Sequence, residues 1–264
     1  MNDIEKRMLE ILKELKEKYN ILGIKAEFEA EGTRKDELIR LQEIIHRADL
    51  DTIIKIGGCE AVSDLQEAKI LGINGVMSPM IESPFAMTKY INMINKVYSD
   101  DEQKDMKFIF NAETIACYEN LDEILEVAKD KMTNIAVGRV DFSASLGLSR
   151  ADINTNKIFD KVKTMLDKGK KYGLTTGIGG GISLEAIPFI NQLGDSLDLF
   201  ETRKVVFRNY DGLEIDKALV LSTEFELLYL KNKEQYYSSI ASEDLSRIDM
   251  MQERLDALKL QVNG

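Results

Sequence analysis

Hydrophobic and polar positions along the chain switch repeatedly between a period of 3.6 and a period of two. In the first twenty residues Met8, Leu9, Ile11, Leu12 and Leu15 share one face, with lysines and glutamates opposite. This predicts an N-terminal helix over 1–20 that closes one end of the domain. From Ile24 the period drops to two: Ile24, Ala26, Phe28 and Ala30 face one way, and Lys25, Glu27 and Glu29 face the other. Residues 24–32 therefore predict a strand with one wholly charged face. The pattern then predicts helices over 33–48, 60–72, 83–98, 118–130, 157–171 and 183–194. Strands are predicted over 51–58, 73–80, 108–114, 134–141, 173–181 and 197–207. Residues 213–237 and 242–262 read as two long helices with a break near Ser238 to Ser242. The second carries Leu245, Ile248, Met251, Leu255 and Leu258 at helical spacing.

Strands alternating with helices through short loops imply a parallel sheet covered by helices. About seven such units favour a closed TIM-type (β/α) barrel over an open doubly wound sheet. The expected organisation is one α/β barrel domain over 1–264, with residues 212–264 as a C-terminal helical extension. Seven strands are clear, and the eighth is expected near Arg203 to Phe207 or inside a segment assigned otherwise. A barrel gathers its chemistry at the C-terminal strand ends. The sequence places Glu27 and Glu29, Lys55 with Gly57 and Gly58, Glu82, Glu113, Asp141, the glycine-rich Gly177–Gly181, and Glu201, Arg203 and Lys204 there.

The densest chemistry lies between Phe108 and Gly147. FIFNAET and NIAVGRVDFSASLG enclose one amphipathic helix, and the strand of each is expected to deliver an acid at its C-terminal end, Glu113 and Asp141. Parallel strands joined by one helix are usually neighbours, about 4.8 Å apart, so the two carboxylates can converge on one ion. Two carboxylates with room for waters and a substrate suit a hard divalent cation, Mg²⁺ or Mn²⁺. Glu82 is set aside as a ligand because two helices separate it from Asp141.

Composition narrows the partners. A net charge of -11 argues against nucleic acid and anionic membrane surfaces. No apolar run approaches 18 residues, and Cys59 and Cys117 form neither a disulfide framework nor a zinc motif, so a reducing cytoplasm is expected. Both thiols read as small buried hydrophobes, and the one histidine, His46, sits on the polar side of a helix. The glycines of TTGIGGGIS precede a helix that Ser183 could cap, a pattern suited to an anion. In ETRKVVF at least one cation, Arg203 or Lys204, is expected to reach the barrel mouth.

The runs NAETIACYENLDEI and VGRVDFSASLG, with KIGGCEAVSDLQEAKILGINGVMSPMIES before them, resemble the HpcH/HpaI aldolase and citrate lyase family over roughly Ile24 to Gly147. That resemblance implies a metal-dependent lyase or aldolase acting on pyruvate or a related 2-oxo acid. It implies that Glu113 and Asp141 bind the metal, and that the backbone N–H groups of Val140 and Asp141 hold the substrate carboxylate. Asn111 falls where the aldolases carry a glutamine near the metal-bound water, and Lys55 where an arginine stabilises the enolate oxygen. Glu29 matches an acid of the active-site network, and homo-oligomers are common in the family. Gly180 and Arg203 extend the expected site toward a small anionic substrate larger than pyruvate. Two departures stand out: the histidine base expected after Glu29 is Ala30, and Lys55 lacks the planar fork of arginine. Proton transfer then falls to Glu29, Glu27, Lys55 or metal-bound water. The departures leave open a metal-dependent isomerase or hydrolase of a carboxylated or phosphorylated molecule, and a catalytically silent scaffold barrel.

Overall fold

The computed structural model describes residues 1–237 and 242–263; the expected break near Ser238 to Ser242 lies mostly outside them. Eight strands close into a barrel in chain order: β1 (Ile21–Glu27), β2 (Asp51–Lys55), β3 (Gly75–Ser78), β4 (Lys107–Ala112), β5 (Asn134–Gly138), β6 (Thr175–Gly179), β7 (Leu199–Glu201) and β8 (Val205–Arg208). The first seven are parallel, whereas β8 runs antiparallel to both β7 and β1. The fold is therefore a TIM-like mixed barrel, and the eighth strand lies where the sequence left room for it. The expected continuous strand over 197–207 does not form. Residues Thr202 to Lys204 turn the chain back, with the Thr202 N–H donating to the Val205 carbonyl at 2.9 Å. So short a connection can join only antiparallel neighbours, because a parallel crossover needs a dozen residues or more.

The helices are α1 (Asp3–Tyr19), α2 (Lys35–Arg47), α3 (Val62–Ile70), α4 (Pro84–Val97), α5 (Ile115–Glu119), α6 (Leu121–Ala128), α7 (Arg139–Ser145), α8 (Asn156–Lys171), α9 (Ile187–Leu193), α10 (Ile215–Tyr237) and α11 (Ser242–Asn263). Strand alternation divides the core in two. Ile24, Ala26, Ile54, Val76, Phe108, Phe110, Ile135, Val137 and Phe207 belong to the main core with the buried helix faces. Ile53, Met77, Ile109, Ala136, Leu199 and Val206 make a separate cluster inside the barrel. The charged face of β1, with Lys25 and Glu27, is thus the face that looks inward.

α1 starts on a capping box between Asn2 and Glu5 and packs beside β1, α2 and α10. α10 and α11 pack on each other, burying Met251, Leu255 and Leu258 and leaving Leu245 exposed. α11 also touches the loop after β6, where an Arg254 Nη2 N–H donates to the Ile182 carbonyl at 2.8 Å. Among the described residues no helix is long and apolar enough to cross a membrane.

Candidate active site

The inward faces of the strands carry apolar side chains deep in the barrel and polar or missing ones two residues further toward the C-terminal ends. Ile53 is followed by Lys55, Ile109 by Asn111 and then Glu113, Ala136 by Gly138, and Leu199 by Glu201. The barrel therefore has an apolar floor and a charged mouth.

Glu113, just past the end of β4, is the centre of the mouth and is 1% exposed. The Met80 N–H donates to its Oε1 at 3.1 Å, and Asn111 Nδ2 donates to its Oε2 at 2.9 Å. Lys55 Nζ lies 3.8 Å from the same Oε2 and 3.1 Å from Glu29 Oε2. Met80 adopts φ 51°, a left-handed conformation that is costly for a side chain of its size. A Cβ added to Gly138 would lie 2.7 Å from Glu113 Oε2, so this glycine is what lets the carboxylate lie over β5. Burial pushes the Glu113 carboxyl up; Lys55, the Met80 N–H and Asn111 pull it back and the Asp141 charge adds to the rise, leaving it above its ordinary value. Burial lowers the Lys55 ammonium, but Glu113 and Glu29 outweigh it and hold the group charged.

Asp141 is not at a strand end: β5 stops at Gly138, and Asp141 lies exposed in the first turn of α7. Glu29 likewise sits past the end of its strand, since β1 ends at Glu27 and the Thr33 N–H closes a turn on the Glu27 carbonyl at 3.1 Å. Asn111 is 6% exposed, and its Oδ1 is buried with no partner among the described residues. No group of three or more His, Cys, Asp or Glu residues gathers into a ligand cluster among the described residues. Two carboxylates and an orphaned amide oxygen form a hard donor set. It fits a cation that keeps several waters or substrate oxygens, as Mg²⁺ does.

A second charged group lies inside the barrel beside the first. Lys25 Nζ pairs with Glu201 Oε1 at 2.5 Å and with Glu27 Oε1 at 3.5 Å, all three side chains nearly buried. Gly179 makes room, since a Cβ there would come within 2.9 Å of Glu201 Oε1. Period-two alternation put Lys25 and Glu27 on one charged face of the first strand, but nothing in the sequence pairs residues 176 positions apart.

The glycine run takes a different form from the one expected. Ser183 makes no cap; its hydroxyl donates to Glu185, and the following segment opens as a 3₁₀ turn over Leu184–Ala186 before the seven-residue α9. The run is instead fastened by Arg139, which is fully buried with no carboxylate partner among the described residues. Arg139 donates to the carbonyls of Gly179, Gly180 and Gly181 at 3.3, 2.8 and 3.3 Å and to Asn154 Oδ1 at 2.7 Å, and its guanidinium lies 4.7 Å from the Phe189 ring centroid. Burial brings its pKa down to about 10, so it remains a cation at neutral pH. Gly180, at φ 75°, abuts the start of α7: a Cβ there would lie 2.8 Å from the Val140 nitrogen. The space beside that N–H is open only because residue 180 is glycine.

Arg203 and Lys204 do not join this group. Both hold Glu31, Arg203 Nε at 2.9 Å from Oε1 and the Lys204 ammonium against Oε2. The expected mouth cation for a second anionic group is therefore already paired. His46 and Glu82 are exposed, Cys117 is buried and Cys59 half-buried. Burial raises both thiols, Cys117 to about 12, so neither is a ready nucleophile.

Known structures share this architecture at low identity. An HpcH/HpaI aldolase from Desulfitobacterium hafniense DCB-2 matches with a TM-score of 0.60 and 14% identity, over 74% of this chain and 82% of that one. An HpcH/HpaI aldolase/citrate lyase family protein from Burkholderia cenocepacia J2315 matches with a TM-score of 0.62 and 15% identity, over 92% of this chain and 100% of that one. The citrate synthase SbnG matches with a TM-score of 0.58 and 14% identity, over 74% of this chain and 81% of that one. A search of curated proteins returns no match. The family model for HpcH/HpaI aldolase/citrate lyase matches residues 34–177, which hold Lys55, Asn111, Glu113, Val140 and Asp141. With more than half its length matched, the chain belongs to the HpcH/HpaI aldolase/citrate lyase family.

Proposed function

We propose that this chain is a metal-dependent lyase of the aldolase type, making or breaking a carbon–carbon bond next to the carbonyl of a pyruvate-like 2-oxo acid. The observation that carries the reading is Glu113: a desolvated carboxylate on an inner strand end, with Asn111 and Lys55 against it and the charge of Asp141 acting on it. Glu113 and Asp141 would hold Mg²⁺ or Mn²⁺, with the Asn111 oxygen facing its water. A bound divalent cation would polarise the substrate carbonyl.

The remaining roles fall to the chain's own groups. The N–H groups of Val140 and Asp141, beside the space left by Gly180, take the substrate carboxylate. Arg139 keeps the glycine loop in place and adds a fixed positive charge behind it. Lys55 faces the oxygen on which negative charge develops. Glu29, paired with Lys55, takes and returns the proton at the neighbouring carbon in place of the histidine that Ala30 replaces. A small anionic molecule is the substrate, and further copies of the same chain are the expected partners.

The test is proton exchange at the pyruvate methyl group in D₂O, followed by NMR with and without Mg²⁺ or Mn²⁺. Metal-dependent exchange is expected, falling at least ~100-fold in Glu113→Gln and Asp141→Asn, the size of a lost transition-state contact. Equal exchange in wild type and both variants would refute the assignment.

A further inference from the structure

The antiparallel direction of β8 has a consequence at the mouth. The β7–β8 turn emerges there, beside the loop over residues 28–34 that follows β1 and carries Glu29. The ends of that loop are tied through backbone: the Phe28 N–H donates to the Lys55 carbonyl at 2.8 Å and the Thr33 N–H to the Glu27 carbonyl at 3.1 Å. Between them Glu29 reaches Lys55, and Glu31 reaches Arg203 and Lys204 in the turn. The two anchors differ in strength. The Glu29 side chain is 30% exposed and meets a single cation, so solvent weakens its hold. Glu31 is 9% exposed and meets two cations, one of them, Lys204, almost wholly buried and resting 4.4 Å from the Tyr229 ring centroid on α10. Gly32, at φ 55°, takes the left-handed conformation that turns the loop directly after Glu31.

We propose that Glu31 is a positioning residue: gripped by the β7–β8 turn, it holds the 28–34 loop so that Glu29 stays paired with Lys55. The inference rests on the roles given above to Glu29 and Lys55, but the pairing can be measured without turnover. The grip also accounts for the hairpin itself, because a parallel eighth strand would begin at the opposite end of the barrel and could not bring its leading residues to this loop.

The experiment uses the full chain as wild type, Glu31→Gln and Arg203→Met, the last removing one of the two cations and leaving the buried pair intact. Amide hydrogen exchange is followed by mass spectrometry, the accessibility of the Lys55 amine by acetic anhydride labelling, Mn²⁺ binding by water proton relaxation, and pyruvate proton exchange by NMR. In Glu31→Gln the peptide over 28–34 is expected to exchange at least tenfold faster and Lys55 to label at least fivefold faster, with smaller changes of the same kind in Arg203→Met. Exchange in the 107–113 peptide and the Mn²⁺ affinity stay at wild-type values. The kcat for pyruvate proton exchange falls at least tenfold while KM changes less than twofold. Unchanged loop exchange or unchanged Lys55 labelling in Glu31→Gln overturns the inference, as does a loosened loop with full kcat. A wild type that binds Mn²⁺ but exchanges no pyruvate proton refutes the proposed reaction instead, and the labelling of Lys55 then decides the role of Glu31.

Discussion

Glu113 shows how much one side chain in this mouth depends on what its neighbours lack. Its carboxylate is buried, raised above its ordinary value, and given space by a glycine. A carboxyl whose folded value is raised adds stability below its unfolded value and loses it as pH rises, so ionised Glu113 strains the metal-free fold at neutral pH. Glu113→Gln is therefore expected to melt no lower than wild type without metal in a calorimetric scan. Saturating Mg²⁺, at about 100 times its Kd, should stabilise the wild type by about 2.7 kcal/mol and the variant not at all. Gly180 supplies the second residue-scale prediction. Gly180→Ala places a Cβ against the Val140 nitrogen and forces alanine into a left-handed conformation. Urea denaturation should show a loss of about 1–2 kcal/mol. The KM for pyruvate in the proton-exchange assay should rise at least tenfold, about 1.4 kcal/mol of lost binding, with a smaller effect on kcat.

At the scale of elements the contact that matters joins a loop to a hairpin. Burial alone would raise the Glu31 carboxyl, but Lys204 and Arg203 more than reverse it and bring its value from 4.5 to about 2. The folded value lies below the unfolded one, so this pair contributes stability above pH 4.5 that disappears as pH falls toward 2. Glu31→Gln should be less stable than wild type by on the order of 3 kcal/mol at pH 7, with the gap closing between pH 4.5 and 2 in urea titrations. A constant gap across that window would mean that the loss comes from packing and not from the charge. The sequence led to the expectation that at least one of these two cations reaches the barrel mouth. Alternating residues look the same in one long strand as in a tight hairpin, and what separates them here is the turn at Thr202 to Lys204.

Over the whole molecule, the readable part and the unreadable part divide by range. Periodicity located the strands and most helices because a side chain's face depends on the few residues around it; it put Lys55 and Glu113 at strand ends and Asn111 on the same side as Glu113. The same local rule placed Lys25 and Glu27 together on one face of the first strand. It could not end the alternation at Glu27, where a turn carries Glu29 into a loop, or stop the fifth strand at Gly138, where the chain enters α7 and leaves Asp141 on a helix. Partners distant in the chain were out of reach altogether: Lys25 with Glu201, Glu31 with Arg203 and Lys204, and Arg139 with the glycine carbonyls. A TRK segment between two short apolar runs was the one local sign of the hairpin, and a Glu-Gly step the one sign of the loop it grips. Residue order thus settled which groups share a face and which family the chain resembles, since both are carried by neighbours in the chain. Barrel closure settled the direction of β8 and the partners of the buried charges. Those depend on which strand edges meet and on which charges must be neutralised once water is gone.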